Sequence, residues 1–176
     1  KVVELDSLLR EDEEIRKLTP KECLSCEKEG LYICFIYNPH PKKRPLTPGI
    51  ADEEFIRGKA PMTKTEVRTV SLAKLRLPKD AICYDIGAGT GSVSVEMALR
   101  ASEGAVYAIE KKEDALALLH ENKKKFAVDH LEIIEGTAPE ALEALPVPTH
   151  AFIGGSAGNL KEILELLLRK NPNIRV

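Results

Sequence analysis

Ala81-Ile82-Cys83-Tyr84-Asp85-Ile86 runs directly into Gly87-Ala88-Gly89-Thr90-Gly91-Ser92, a short apolar strand followed by three alternating glycines. Glycine tolerates positive φ and lets backbone approach a ligand with no Cβ in the way. The helical pattern from Ser92 to Arg100 makes this a strand-to-helix turn. Downstream, Ala105 to Ile109 reads as a strand and Lys112 to Phe126 as a helix. Leu131 to Glu135 reads as a strand, Pro139 to Leu145 as a short helix and His150 to Ile153 as a strand. From Asn159 to Arg169, Leu160, Ile163, Leu164, Leu167 and Leu168 recur at helical spacing, and Asn173 to Val176 begin a further strand. Such alternation predicts an α/β fold, a parallel sheet with helices on both faces. Ligands of open α/β sheets bind beyond the carboxyl ends of the strands, where the glycine turn lies. Upstream, Thr63-Lys64-Thr65-Glu66 matches a capping box and predicts a helix to about Leu75, with Pro78 beyond its end.

The chain has two styles. Residues 1–38 carry the acidic run Glu11-Asp12-Glu13-Glu14 and the β-rich run Leu31 to Tyr37. Residues 39–48 hold four prolines in a basic stretch that cannot continue a helix or a central strand, so they read as a linker. Residues 49–176 form the regular α/β part. Hydrophobic residues make up 43% and charged residues 31%, a soluble globular balance. A net charge of −2 argues against a surface built to hold nucleic acid, and no apolar run reaches membrane-spanning length. The opening Lys1-Val2-Val3-Glu4 has no initiator Met and is no signal peptide, so a cytoplasmic fragment is expected. Cys23, Cys26, Cys34 and Cys83 are then expected to be reduced.

Which ligand suits the turn follows from its neighbours. A dinucleotide fingerprint would place its third glycine one position later, where Ser92 stands. Asp85 offers a carboxylate to a cationic amino group, such as that of S-adenosylmethionine (SAM), and would not help to hold a pyrophosphate. Glu110, at the end of the second strand of the α/β part, can accept hydrogen bonds from ribose hydroxyls; the alternative is a solvated charge beside Lys111 and Lys112. As a strand-end residue it is expected to matter little for folding. Gly136-Thr137-Ala138 would edge the adenine, or Thr137 would simply cap the next helix.

Residues 49–176 resemble the precorrin decarboxylating methyltransferases of cobalamin biosynthesis, the CbiT/CobL type. The resemblance runs through Gly49-Ile50-Ala51-Asp52-Glu53-Glu54-Phe55-Ile56, Pro61-Met62-Thr63-Lys64 and Glu66-Val67-Arg68. It continues through Asp85 to Gly91, Tyr107 to Glu110, Glu135 to Leu142 and Phe152-Ile153-Gly154-Gly155-Ser156. The glycine turn is common to many methyltransferases; the Asp-Glu-Glu-Phe, Pro-Met-Thr-Lys and Gly-Gly-Ser pieces are more specific. The resemblance implies a class I SAM-dependent methyltransferase fold, Rossmann-like, whose last strands this chain lacks. It places the cofactor contacts on Thr63, Gly87, Ala88, Gly89, Thr90, Gly91, Glu110, Thr137 and Ala138. The family usually has Asp where Thr137 stands, which puts a carboxylate contact to adenine in question. Residues 1–38 look like the tail of a tetrapyrrole methylase of the CbiE type.

The implied reaction is methyl transfer from SAM to a meso carbon of a precorrin, with loss of carbon dioxide from a ring acetate. An electron-rich tetrapyrrole supplies the carbon nucleophile, so orientation can carry much of the catalysis; no catalytic residue is assigned. The substrate carries many carboxylates, and Arg57, Lys59, Lys64 and Arg68 form a candidate cationic rim, unless they are an ordinary solvated face. Gly154, Gly155 and Ser156 would admit substrate close to backbone, unless they make a plain turn. A homo-oligomer is expected. Another class I methyltransferase, such as one acting on transfer RNA adenine, is the competing enzyme, and a SAM-fold scaffold without activity is a further reading. A metal-binding module is the competing class, since Cys23 and Cys26 are spaced as half a site, with Cys34 and His40 beyond; no metal is expected.

Overall fold

A computed structural model describes residues 2–6, 14–25, 32–37 and 45–176. The chain divides into two compact units, residues 1–43 and 44–176. In the first, β1 (Val2–Asp6) lies between β2 (Glu14–Leu18) and β3 (Tyr32–Ile36), and both pairings are antiparallel. Between β2 and β3, α1 (Pro20–Leu24) opens on a true capping box: the Glu22 amide donates to Thr19 and the Thr19 amide donates to Glu22. Each partner satisfies a backbone donor that a helix start would leave open. Glu11 to Glu13, Cys26, Leu31 and the basic run Lys42-Lys43-Arg44 fall outside the described residues, as do Asn38 to Pro41.

The second unit holds α2 (Thr65–Leu75), β4 (Ile82–Ile86), α3 (Ser92–Arg100), β5 (Ala105–Glu110) and α4 (Glu113–Phe126). It continues with β6 (Leu131–Glu135), β7 (His150–Ile153) and α5 (Leu160–Lys170). All four strands run parallel in the order β6-β5-β4-β7. The chain moves outward from β4 to β6 on one side and then returns to place β7 on the other. That reversal is the topological switch point where open sheets bind ligands. Arg175 bridges in parallel to His150, so the expected further strand begins against β7.

Strand periodicity divides the core. Cys83, Val106 and Ala108 face one side, where Leu72 and Leu75 of α2, Val95 and Met97 of α3 and Leu119 of α4 cover them. Tyr84, Ile86, Tyr107 and Ile109 face the other, against Ile163, Leu166 and Leu167 of α5.

Several local expectations change. Thr63 caps nothing: α2 starts at Thr65, with Lys64 at its N-cap and no side-chain cap. Pro139 to Leu145 is a 3-10 turn over Glu140–Leu142, and Thr137 does not cap it. The end of the proposed linker is part of the α/β unit, because the carboxylate of Glu96 on α3 accepts from Thr47 Oγ1 (2.7 Å) and the Gly49 amide (2.8 Å).

Candidate functional site

A cleft of about 390 Å³ opens at the carboxyl ends of the parallel strands, within the usual range for a small-molecule site. Its floor is Ile86, Gly87, Ala88 and Gly89 from the β4 turn, and Ile109 and Glu110 from the end of β5. Gly136, Thr137 and Ala138 line it after β6, and Gly154, Gly155, Ser156 and Ala157 after β7. Pro61, Met62 and Thr63 line it from the segment that leads into α2.

The glycines do different jobs. Gly87 has φ +74°, and a Cβ there would lie 2.7 Å from the backbone of Gly155. The Gly154 and Gly155 amides both donate to Ile86 O, at 2.9 and 3.1 Å. The Gly-Gly pair is thus the tight backbone packing of the β7 turn against the β4 turn, and it lines the cleft as well. Gly89 passes under Pro61, whose carbonyl would be 2.6 Å from an added Cβ. Gly91 has φ +77° and faces Leu119, 2.0 Å from an added Cβ. It lies outside the cleft lining, so its role is to let α4 pack on the start of α3. Thr90 is likewise buried and absent from the lining, and its hydroxyl has no hydrogen-bond partner among the described residues.

Glu110 is 8% exposed. Oε2 accepts from the Gly89 amide at 2.9 Å, and Oε1 accepts from the amides of Lys111 (2.8 Å) and Lys112 (3.0 Å). It is therefore no solvated charge. The carboxylate ties the glycine turn to the start of the next helix, and a carboxylate has about four acceptor positions, so one is left for a ligand hydroxyl. Its removal would disturb the fold, against the expectation from its strand-end position.

Asp85 is placed differently from the expectation. It lies on the Cys83 face of β4, 1% exposed, where it accepts a hydrogen bond from the Ser94 hydroxyl of α3. It does not line the cleft. Burial pushes its carboxyl up from 3.8 to about 6, against the opposing hydrogen bonds from Ser94, with the nearby Glu110 charge adding to the rise. A ligand's amino group in the cleft does not meet this carboxylate directly.

The cationic rim also comes apart. Arg68 is fully buried in an ion pair with Glu96 (2.6 Å) and cannot meet a substrate from there. Its position on the stripe Arg68, Leu72, Leu75 turns it inward. Arg57 and Lys59 are exposed and outside the cleft lining. Lys64 is exposed and 3.3 Å from Asp52. The cations that do line the cleft are Lys111 and Lys112, read from sequence only as neighbours of Glu110. Their signal was their place directly after a strand end.

Asn122 of α4 was missed entirely. Its Oδ1 accepts the Ile56 amide at 2.8 Å, and its Nδ2 donates to Ile56 O (3.0 Å) and Thr90 O (2.9 Å). It joins the segment that covers the cleft to the glycine turn. Among the described residues no group of His, Cys, Asp and Glu is arranged to hold a metal; Cys26 and His40 of the metal-binding reading lie outside them. No helix among the described residues is long and apolar enough to cross a membrane.

The probable cobalt-precorrin-6B C(15)-methyltransferase (decarboxylating) of Pyrobaculum calidifontis is 46% identical over 127 residues, 70% of this chain and 65% of that protein. The cobalt-precorrin-6B C(15)-methyltransferase (decarboxylating) of Salmonella typhimurium is 43% identical over 115 residues, 65% of this chain and 59% of that protein. A solved structure of a precorrin-6Y C5,15-methyltransferase from Geobacter metallireducens is 43% identical, with a TM-score of 0.67 over 69% of this chain and 65% of that one. The chain thus spans less than two thirds of the length of each of these relatives. Its α/β unit is a class I methyltransferase fold. A family model described as a precorrin methyltransferase domain matches residues 54–176, and the chain belongs to that family.

Proposed function

We propose that the chain is the cofactor-binding part of a SAM-dependent methyltransferase that methylates a precorrin carbon and decarboxylates a ring acetate in cobalamin biosynthesis. The observation that carries the reading is the cleft at the switch point. It combines the glycine turn at Gly87 and Gly89, which lines the cleft, with a buried carboxylate, Glu110, that keeps one acceptor position free of backbone partners. This donor and acceptor set fits a nucleoside with a free ribose diol. Thr137 and Ala138 then edge the base, with the Thr137 hydroxyl released from any capping duty.

When bound, SAM supplies an electrophilic methyl group. The chain's own residues bind and orient. Pro61, Met62 and Thr63 line the cleft from the segment before α2, and Gly154 to Ala157 line it beside the glycine turn. The titratable side chains among the lining residues are Glu110, Lys111 and Lys112, and Glu110 is taken up with backbone. That composition suits a reaction in which the substrate brings its own nucleophilic carbon and the protein contributes positioning. Lys111 and Lys112 give a carboxylate-rich substrate two cations at the mouth.

Calorimetric titration with SAM, S-adenosylhomocysteine and NAD tests the cofactor. Binding of the first two and not the third is expected; NAD binding without a response to SAM overturns the reading. Incubation with SAM and a precorrin, followed by product mass, tests the reaction: one added methyl and one lost carbon dioxide are expected. Methylation without decarboxylation rejects the reaction while keeping the substrate class.

A further inference from the structure

Three pieces of the sequence that carry the family resemblance, around Asp52, Thr63-Lys64 and Arg68, put only Thr63 of these residues into the cleft lining. They converge instead on one buried guanidinium. Arg68 Nε donates to Glu96 Oε1 (2.6 Å), Nη1 to Asp52 Oδ1 (3.3 Å) and Thr63 O, and Nη2 to Ile50 O and Thr65 Oγ1 (3.4 Å). Five donors meet five acceptors, the full capacity of an arginine. The guanidinium also lies 4.8 Å from the Phe55 ring centroid. Lys64 Nζ sits 3.3 Å from Asp52, so two cations face two carboxylates. Burial and the hydrogen bonds from Thr65, Lys64 and Arg68 oppose one another at Asp52, and the hydrogen bonds prevail, holding its carboxyl below the ordinary range.

Stability alone gives weak grounds for such a network, because apolar residues of similar volume often replace a buried ion pair at no cost. What an apolar replacement cannot do is hold backbone carbonyls in register. Arg68 holds two, Thr63 O and Ile50 O, and Thr63 is one end of the segment that covers the cleft. The other end, Pro61, lies on Gly89. Glu96, the partner of Arg68, stands one turn into α3, the helix that the glycine turn opens. The pair of Arg68 and Glu96 therefore joins the cover at Thr63 to the helix that the cradle opens, beside the link that Asn122 makes from Ile56 to Thr90 O.

We propose that Arg68 is a positioning residue for the cofactor: clasped by Glu96 and Asp52, it holds the strap Pro61 to Thr63 over the cleft and so sets cofactor affinity. The proposal rests on the reading of the cleft as a SAM site. It accounts for the spacing of Asp52, Thr63-Lys64 and Arg68 without any contact to substrate.

The test compares the full 176-residue chain with Arg68→Lys and Asp52→Asn. Arg68→Lys keeps the charge but has three donors on one nitrogen in place of five on a planar fork, so it cannot serve Glu96, Asp52, Thr63 O and Ile50 O together. Asp52→Asn changes the outermost, partly exposed member and leaves the pair of Arg68 and Glu96 intact. S-adenosylhomocysteine affinity is measured by calorimetry, and amide exchange of residues 60–64, with and without that ligand, by mass spectrometry. For Arg68→Lys the dissociation constant should rise at least tenfold. Exchange at 60–64 should quicken while β4 and β5 keep wild-type protection, a combination that a general loss of stability would not produce. Asp52→Asn should move both readouts the same way by less. Wild-type affinity in Arg68→Lys overturns the proposal, whether or not the strap loosens. If the wild type itself fails to bind S-adenosylhomocysteine, the cofactor reading fails and takes cofactor positioning with it. Exchange at 60–64 then still reports on the clasp, and unchanged exchange in both variants overturns that as well.

Discussion

Replacing Asp85 by Asn should make the protein more stable at neutral and alkaline pH, and the gain should vanish in acid. The carboxyl is 1% exposed, with its ionised form supported by the Ser94 hydroxyl. Burial is the dominant influence and lifts it from 3.8 to about 6. The folded state therefore holds the proton more tightly than the unfolded chain, and between about pH 4 and pH 6 it carries more protons. Stability falls as pH rises through that window, because the folded state must ionise a buried group. A rise from 3.8 to about 6 corresponds to about 3 kcal/mol, present in full above the upper value. At pH 4 the penalty drops below about 1 kcal/mol. Asparagine keeps an acceptor for Ser94 but adds an amide donor with no assigned acceptor, which offsets part of the gain; about 1–3 kcal/mol at pH 8 remains. The chain has no Trp, so urea unfolding is followed by circular dichroism at pH 4.5 and pH 8. Groups common to both proteins cancel in the difference between them. A difference that stays constant across these pH values, or a variant less stable than wild type at pH 8, would refute the reasoning.

Glu110→Ala should weaken S-adenosylhomocysteine binding by about 1.5–3 kcal/mol, the value of a charge-assisted hydrogen bond, as read by calorimetry. It should also lower stability by about 1–2 kcal/mol, since the amides of Gly89, Lys111 and Lys112 lose their acceptor; Glu110→Gln should recover part of that loss in the same urea titration. Gly91→Ala should lower the thermal midpoint clearly, because a left-handed residue with a Cβ costs about 1–2 kcal/mol and the new methyl would lie 2.0 Å from Leu119 Cδ1. An unchanged midpoint would mean that the turn does not need its glycine there.

The regular half of the α/β unit was legible because burial imposes periods on sequence. Strands of period two and helices of period 3.6 announce themselves wherever one face meets a core. The same period, applied strictly to β4, places Asp85 on the face of Cys83, toward α3 and away from the strand tips. The place of Asp85 just before the glycine turn and its charge suit a ligand's amino group, but neither says which face of the strand the side chain takes. Glu110 was recognised as a site residue from its position, but its three backbone partners come from the turn of β4 and the start of α4. The partner from β4 lies 21 residues away, and nothing local in the sequence foretells a contact of that range.

Arg68, Glu96 and Asn122 carried a signal of a different kind. Arg68 falls in line with Leu72 and Leu75, and Asn122 in line with Ala115 and Leu119. Glu96 sits within a helix whose residues from Ser92 to Ala98 are all buried. Each is a polar residue where the period calls for an apolar one. A buried polar side chain needs partners, and irregular backbone near the core needs them equally, because it has no ladder to supply them. Residues 47–63 form such a segment: apart from a 3-10 turn at Asp52–Glu54 it has no regular structure. The amides of Gly49, Ile50 and Ile56 and the carbonyls of Ile50, Ile56 and Thr63 are all met by Glu96, Asn122 or Arg68. Those three positions, 28 and 26 residues apart in sequence, thus do for the irregular cover what neighbouring strands do for a sheet. The polar breaks in the helical stripes and the irregular segment ahead of them are two halves of one arrangement, and it leaves the strap over the cleft dependent on side chains that never touch it from the ligand's side.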